Sequence, residues 1–397
     1  MNGLDRLFPR NGHIPCPFVL RQNGSAQRIG AGEPAFELHV RNGGGARALR
    51  SLNELAIAEA YVRGDLEIEG DIVRAMWFRG LLSDDNLWIK TWRRLQPLLL
   101  GRTRLNPAWI AKHYDSGNIQ VFGLDRDWRA YTPGIYETGE ETLEESTPRK
   151  YRFALDSMRV REGDHVLEVG CGWGGFTHFC SDRGLRVTGI TLSKDQHGYT
   201  GQLIRDRGLN AEALYQDFFT FQPERKFDAI SMMGVIEDLS DYPWVMRRLK
   251  ELLKPGGRVY LDFAAGKVPF GTSSFITKHV WPGTFRMVYM PELMAAADEA
   301  RVHVIGAWDD RRNYHLWAKN GHTRWIENKD EVIRRSSLET WRLFKLLFAG
   351  TAGVMNDPAH DVTAYRLVLK PRSAPERPAA AGLRARGAAT PAAGSRP

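Results

Sequence analysis

Cysteine is scarce. The 397-residue chain has three, Cys16, Cys171 and Cys180, too few and too scattered for a disulfide framework or a four-ligand zinc site. Long apolar runs are missing too: nothing approaches the ~20 residues that span a bilayer. The opening stretch, MNGLDRLFPRNG, has no apolar h-region, so it does not read as a secretory signal. There is no internal repeat. These absences lead to the expectation of a soluble, cytoplasmic chain in a reducing compartment.

What is present is ordinary globular composition, 43% hydrophobic and 26% charged, which excludes a wholly disordered chain. The length fits two domains, or three. Lys and Arg total 55 against 47 acids, a net charge of +8. Much of that excess sits at the end. Residues 371–397 carry Arg372, Arg377, Arg384, Arg386 and Arg396 against Glu376 alone, among Ala, Pro and Gly. A segment this poor in apolar residues is expected to be disordered. The basic balance suits an anionic membrane surface or a nucleic acid, but nothing else in the chain supports nucleic-acid binding.

Ala35–Val40 alternates as a strand. Ser51–Arg63 has helical spacing stopped by Gly64-Asp65, and Leu66–Ile68 reads as a short strand. In Leu87–Leu105, Trp88, Trp92, Leu95 and Leu99 fall on one helical face with Lys90, Arg93 and Arg94 beside it. Apolar burial flanked by basic residues is what an interfacial helix needs; a core-facing helix linking two domains is the equal alternative. From residue 150 the pattern alternates. Helix Lys150–Met158 precedes strand His165–Val169. Strand Arg186–Ile190, helix Lys194–Arg207, and strands Ala213–Tyr215 and Asp228–Met232 follow. Helix Tyr242–Leu253 and strand Arg258–Phe263 come after, and a late strand covers Thr363–Leu369. Alternation of this kind argues a parallel sheet covered on both faces.

The chemistry centres on His165-Val-Leu-Glu-Val-Gly-Cys-Gly-Trp-Gly-Gly-Phe176. An apolar strand runs into Gly170, Gly172, Gly174 and Gly175, where glycine allows a tight turn and close approach of a ligand to backbone amides. The spacing satisfies the dinucleotide fingerprint. However, Glu168 puts an anion where a pyrophosphate would approach. The second strand also ends in Thr191-Leu-Ser193, with no acid for a ribose 2′-hydroxyl.

The E-V-G-C-G-x-G-G pattern resembles the glycine loop of class I S-adenosylmethionine (SAM) methyltransferases, whose ligand is a sulfonium without phosphates. Asp217 is similar to that family's acid near the adenine, and Leu253-Lys-Pro-Gly-Gly257 to its turn before the fifth strand. A closer resemblance, covering nearly the whole chain short of the tail, is to cyclopropane fatty acid synthases. It rests on Ala58-Glu-Ala-Tyr-Val-Arg-Gly-Asp65, His113-Tyr-Asp-Ser-Gly-Asn118, Tyr131-Thr132, Leu167–Phe176 and Thr191-Leu-Ser-Lys-Asp-Gln196. The resemblance implies an α/β fold: a class I SAM-methyltransferase doubly wound sheet with a small N-terminal α+β lipid-engaging domain and a disordered C-terminal tail. The expected boundaries are 1–105, 106–371 and 372–397. It implies SAM as cofactor, with Tyr131, Thr132, Glu168, Gly170, Gly172, Gly174, Thr191, Gln196 and Asp217 around it. It further implies methyl transfer to a cis double bond of an acyl chain in membrane phospholipid, on the inner membrane surface, with a homodimer as a further expectation. A cation formed in the chain would be stabilised by aromatic faces, Trp173 and Tyr314 being candidates among 12 Trp, 12 Tyr and 18 Phe.

Ring closure in that family uses a bicarbonate base in a small polar pocket. Glu237 and Tyr314 match its glutamate and tyrosine, and are the expected catalytic residues. Five other positions depart: Pro133, Asp238, Asp262, Ala264 and Gly350 stand where the family has cysteine, histidine, histidine, an apolar residue and cysteine. Lost donors and added carboxylates make a poor anion site. The expectation is that Glu237 itself takes the proton, giving a methyl-branched unsaturated chain, or an exocyclic methylene, and not a ring. The alternatives are a true cyclopropane synthase with a variant pocket, a soluble small-molecule methyltransferase, and a nonenzymatic lipid-binding protein. Cys171, inside the loop, reads as a packing residue.

Overall fold

The computed structural model describes residues 14–84, 86, 91, 119–239, 241–268, 272–281, 285–357 and 360–372. The basic Trp/Leu segment 87–105 falls outside the described residues except Thr91, as do the His113–Asn118 motif and the tail beyond Arg372.

The N-terminal part is a four-stranded sheet in the order β2-β1-β3-β4, with β1 Phe18–Gln22, β2 Ser25–Ile29, β3 Phe36–Val40 and β4 Leu66–Gly70. Two helices, Gly43–Ser51 and Glu54–Arg63, connect β3 to β4. The sequence reading of one helix from Ser51 to Arg63 is corrected here. Leu52 sits at φ 49°, in the left-handed region, and ends the first helix; the Asn53 side chain then caps the second by accepting from the Ala56 N–H. The buried core of this layer includes Phe18, Phe36 and Tyr61 but also Phe275, Val280, Leu346 and Ala349 from far along the chain.

The second sheet has the order β11-β12-β9-β8-β5-β6-β7, with a two-residue strand β10 (Val288–Tyr289) beside β9. Its strands are β5 His165–Val169, β6 Arg186–Thr191, β7 Ala211–Tyr215, β8 Phe227–Met233, β9 Leu253–Gly266, β11 Val302–Asp309 and β12 Val362–Pro371. β5 through β9 pair in parallel, and β12 runs antiparallel between β9 and β11. The chain builds outward from β5 to β7, then returns to start β8 on the other side of β5. That reversal opens a crevice beyond the carboxyl ends of β5 and β8, where open α/β sheets bind ligands.

The helix before β5 runs Leu143–Met158, starting seven residues before its sequence signal. Thr142 and Glu145 form a capping box that holds the start despite Pro148 inside the helix. Three C-terminal helices, Arg311–Glu327, Lys329–Arg335 and Leu338–Asn356, pack on one another, and the last touches both the N-terminal core, through Leu346 and Ala349, and β12, through Val354 and Met355. No helix of the described residues is long and apolar enough to cross a membrane.

Candidate active site

The loop after β5 turns through three left-handed glycines, Gly170, Gly172 and Gly174, at φ 75°, 51° and 77°. A β-carbon on Gly170 would lie 2.4 Å from Val235, and one on Gly174 2.9 Å from Thr200. Those two glycines serve packing. A β-carbon on Gly172 would meet nothing within 4 Å, so its Cα faces open space. That space is one end of a cavity of about 410 Å³.

Of the residues expected around SAM, Tyr131, Thr132, Gly170, Gly172, Thr191, Gln196 and Asp217 line this cavity. Thr191 and Gln196 are locked together: the Thr191 hydroxyl donates to Gln196 Oε1 at 3.0 Å. Ser193 caps the helix that carries Gln196. Asp217 follows β7, its Oδ1 accepting from the Phe219 N–H at 2.9 Å; partial burial raises its carboxyl above the ordinary range. Gly174 and Glu168 lie outside the lining. Gly174 caps the helix Gly175–Ser181. Glu168 is buried beneath the loop, accepting from the Thr177 hydroxyl at 2.5 Å, and burial pushes its carboxyl up to about 8. Cys171 is buried and its thiol raised well above the usual value, a packing residue.

The expected catalytic pair lies further along the same cavity. Glu237, in the turn after β8, is buried; its Oε1 accepts from the Ala264 N–H at 2.9 Å, while Oε2 is buried with no hydrogen-bond partner among the described residues. Burial, with Asp238 and Asp262 adding to it, pushes the Glu237 carboxyl up to about 8. Asp238 beside it is raised to about 7 by burial. Tyr314 lines the cavity from the helix Arg311–Glu327, and burial holds its phenol well above the usual value.

The sequence reading counted Asp262 as an added carboxylate where the family has a histidine, and named no counterion for it. The structure gives it a cation instead. Lys150, almost wholly buried, reaches Asp262 Oδ2 at 3.5 Å and donates to the Thr132 hydroxyl at 2.5 Å. Burial still raises the Asp262 carboxyl, with Lys150 and Thr132 pulling the other way. Sequence reasoning missed Lys150. The signal was there: it shares a helix face with Thr147, Tyr151, Ala154 and Met158, all buried.

The cation-stabilising candidates also change. Trp173 is core, packed edge-on against Tyr199 at 5.5 Å and outside the cavity lining. Its place is taken by Trp317, one helical turn from Tyr314. Trp317 lies 6.2 Å from the Tyr314 ring, 6.4 Å from Tyr131 and 5.8 Å from Phe348, centroid to centroid. All four rings line the cavity.

The charged residues of the described lining are Glu54, Arg79, Asp217, Glu237 and Asp238, and Arg79 is paired with Glu54 at 3.1 Å. Such a lining suits a cationic ligand and disfavours a pyrophosphate. The room over Gly172, the Asp217 carboxyl and the absence of an unpaired lining cation among the described residues together fit SAM.

Comparison with known proteins decides the family. The family described as mycolic acid cyclopropane synthetase matches residues 102–365. The chain belongs to this family. A probable fatty acid methyltransferase of Mycobacterium tuberculosis is 25% identical over 384 residues, covering 87% of this chain and 89% of that protein. Sphingolipid C9-methyltransferase 1 of Gibberella zeae is 25% identical over 335 residues, covering 78% of this chain and 64% of that protein. The crystal structure of mycolic acid cyclopropane synthase CmaA1 complexed with SAH and CTAB superposes with TM-score 0.61 at 21% identity, over 66% of this chain and 97% of that one. The expected class I fold and the SAM cofactor stand on these matches. This family member is a SAM-dependent methyltransferase.

Proposed function

We propose that this enzyme methylates a cis double bond in an unsaturated acyl chain of membrane phospholipid, and that Glu237 takes the resulting proton to give a methyl-branched unsaturated chain. SAM, when bound, supplies an electrophilic methyl group. Tyr131, Thr132, Gly172, Thr191, Gln196 and Asp217 hold and orient it. The alkene is a weak nucleophile, so alignment of alkene and methyl group within the cavity supplies much of the rate enhancement. Its π electrons form the new carbon–carbon bond as the methyl–sulfur bond breaks. The positive charge left on the chain lies among Tyr131, Tyr314, Trp317 and Phe348, each aromatic face being worth about 0.5–2 kcal/mol to a desolvated cation. Glu237 removes a proton from an adjacent chain carbon, and the released electron pair restores a double bond.

The observation that carries this reading is Glu237 Oε2: a buried carboxylate oxygen with no partner among the described residues, in a cavity whose described lining offers no unpaired cation to hold bicarbonate. A matched base at the reaction site is worth about 10²–10⁴ in rate. Ring closure is the second reading, favoured by the family's description; there the proton leaves the added methyl. Attachment to an anionic membrane surface on the inner leaflet completes the proposal. It rests on the basic Trp/Leu sequence of residues 87–105.

The test is expression in a bacterial host that makes monounsaturated phospholipids and lacks its own cyclopropane synthase, grown on methyl-deuterated methionine. Fatty acids are analysed by gas chromatography–mass spectrometry. The proposal expects a gain of one methyl carrying all its deuterium, with a retained double bond. A ring that has lost one deuterium supports the second reading. No new lipid from a well-expressed, SAM-binding protein overturns both.

A further inference from the structure

The cavity does not end at the reaction site. It continues into the N-terminal layer, where Phe18 and Leu20 of β1, Phe36 and Leu38 of β3, and Leu66 and Ile68 of β4 line it. The register puts these six on one sheet face: Phe18 pairs with Phe36, Leu20 with Leu38, and Leu38 with Ile68. A sheet face normally closes on a packed layer. In this one Phe18, Leu20, Phe36 and Leu66 are packed into the core of the layer, while Leu38 and Ile68, only partly buried and flanked by Ala58 of the helix Glu54–Arg63, border the open space. Open apolar walls forgo the dispersion contacts of a packed core, and water makes a poor occupant of such a space. A hydrocarbon chain restores those contacts.

The helix Leu338–Asn356 connects the two arms. Leu346, Gly350 and Val354 all line the cavity and lie four residues apart, on one face. At 1.5 Å per residue they span about 12 Å. Leu346 belongs to the core of the N-terminal sheet, and Val354 packs with Tyr314. Between them, a β-carbon on Gly350 would meet nothing within 4 Å. The helix face is therefore notched where it passes from one arm to the other.

We propose that the inner face of the N-terminal sheet is a subsite for the methyl-terminal segment of the acyl chain, reached through the notch at Gly350, and that it sets how much chain is accepted beyond the reacting double bond. This rests on the acyl-substrate reading above. The methyl end is assigned to this arm because the six sheet residues are all apolar, whereas the ester end of a lipid must stay near water.

The experiment compares vesicles of palmitoleoyl and oleoyl phosphatidylglycerol, whose double bonds lie equally far from the ester while oleoyl has two more carbons beyond. Ala58→Leu, Leu38→Phe and Gly350→Leu are tested in the full chain, with SAM affinity by calorimetry and melting temperature as checks of folding. Ala58→Leu or Leu38→Phe shortens the arm. Either is expected to lower the oleoyl-to-palmitoleoyl ratio of kcat/KM roughly tenfold, the worth of about two buried methylenes, with SAM affinity unchanged. Gly350→Leu closes the notch and is expected to abolish turnover of both. An unchanged ratio in folded Ala58→Leu and Leu38→Phe overturns the subsite. Binding of methyl cis-parinarate, an uncharged fluorescent long-chain ester, reads the arm without turnover. If the wild type binds SAM but methylates neither vesicle, the acyl-substrate reading fails. Parinarate binding weakened by the variants then still supports the arm, and binding unchanged by them overturns it.

Discussion

Glu237→Gln separates a base from a merely structural carboxyl, because the two roles move activity and stability in opposite directions. The Gln side chain keeps an oxygen to accept from the Ala264 N–H, as Glu237 Oε1 does at 2.9 Å. What it loses is the ability to take a proton. Loss of a general base predicts a fall of about 10²–10⁴ in kcat. The wild-type pH profile is fixed by the same group. With its carboxyl at about 8, roughly one-tenth is ionised at pH 7 and nine-tenths at pH 9, so kcat/KM rises roughly tenfold across that interval. Stability runs the other way. The folded carboxyl sits above its ordinary 4.5, so its full contribution is present below about pH 4.5 and is lost as pH rises through 8. Three and a half pH units at 1.36 kcal/mol each set an upper value on the order of 5 kcal/mol. The glutamine carries no such loss. The variant is therefore expected to be nearly inactive, more stable than wild type at pH 8–9, and no more stable at pH 4.5. The assays are methyl transfer from labelled SAM to oleoyl phospholipid vesicles, and urea unfolding across pH. A variant within threefold of wild-type kcat, with the same pH profile, would falsify the assignment of Glu237 as base.

Lys150→Met strips Asp262 of its buried counterion and is expected to cost about 3–5 kcal/mol in chemical denaturation. The cost grows with pH as Asp262 must be held protonated, and adding Asp262→Asn should recover part of it. Gly172→Ala places a methyl in the open space over the loop at φ 51°. The left-handed backbone costs about 1–2 kcal/mol of stability, while SAM affinity measured by calorimetry should weaken more than about tenfold. Trp317→Leu removes one face of the aromatic group beside Tyr314. A cation–π loss of about 0.5–2 kcal/mol lowers kcat by a factor of roughly 2–30 with the KM for SAM unchanged.

The central sheet was legible because its strands are short apolar runs bounded by turn chemistry. β5 and the helix Lys194–Arg207 fall where periodicity places them. The N-terminal helix pair was less so, since its break at Leu52 depends on a left-handed residue that carries no glycine signal. The C-terminal helices escaped because Trp, Phe, Leu and Gly crowd several faces at once. Leu338–Asn356 buries Trp341 and Phe344 on one side and Ala349 and Gly353 on others, which blurs any single apolar stripe. At the site, the glycine loop, Thr191, Gln196 and Asp217 follow from short motifs. The Lys150–Asp262 pair and the Trp317 ring do not. They join residues 112 positions apart in one case and 186 (Tyr131 to Trp317) in the other, and only the folded chain makes them neighbours. Glu237 was singled out from its motif, but its environment, a buried oxygen without a hydrogen-bond partner among the described residues, belongs to the tertiary structure.

The N-terminal core borrows Phe275, Val280, Leu346 and Ala349 from the far end of the chain, and this has a consequence during biosynthesis. β4 closes the small sheet at Gly70, yet Leu346 leaves the ribosome much later. At roughly 5–20 residues per second the wait is on the order of 15–55 s. Throughout it the nascent sheet lacks the part of its packing that these four residues supply. The part made first is thus among the last to be finished.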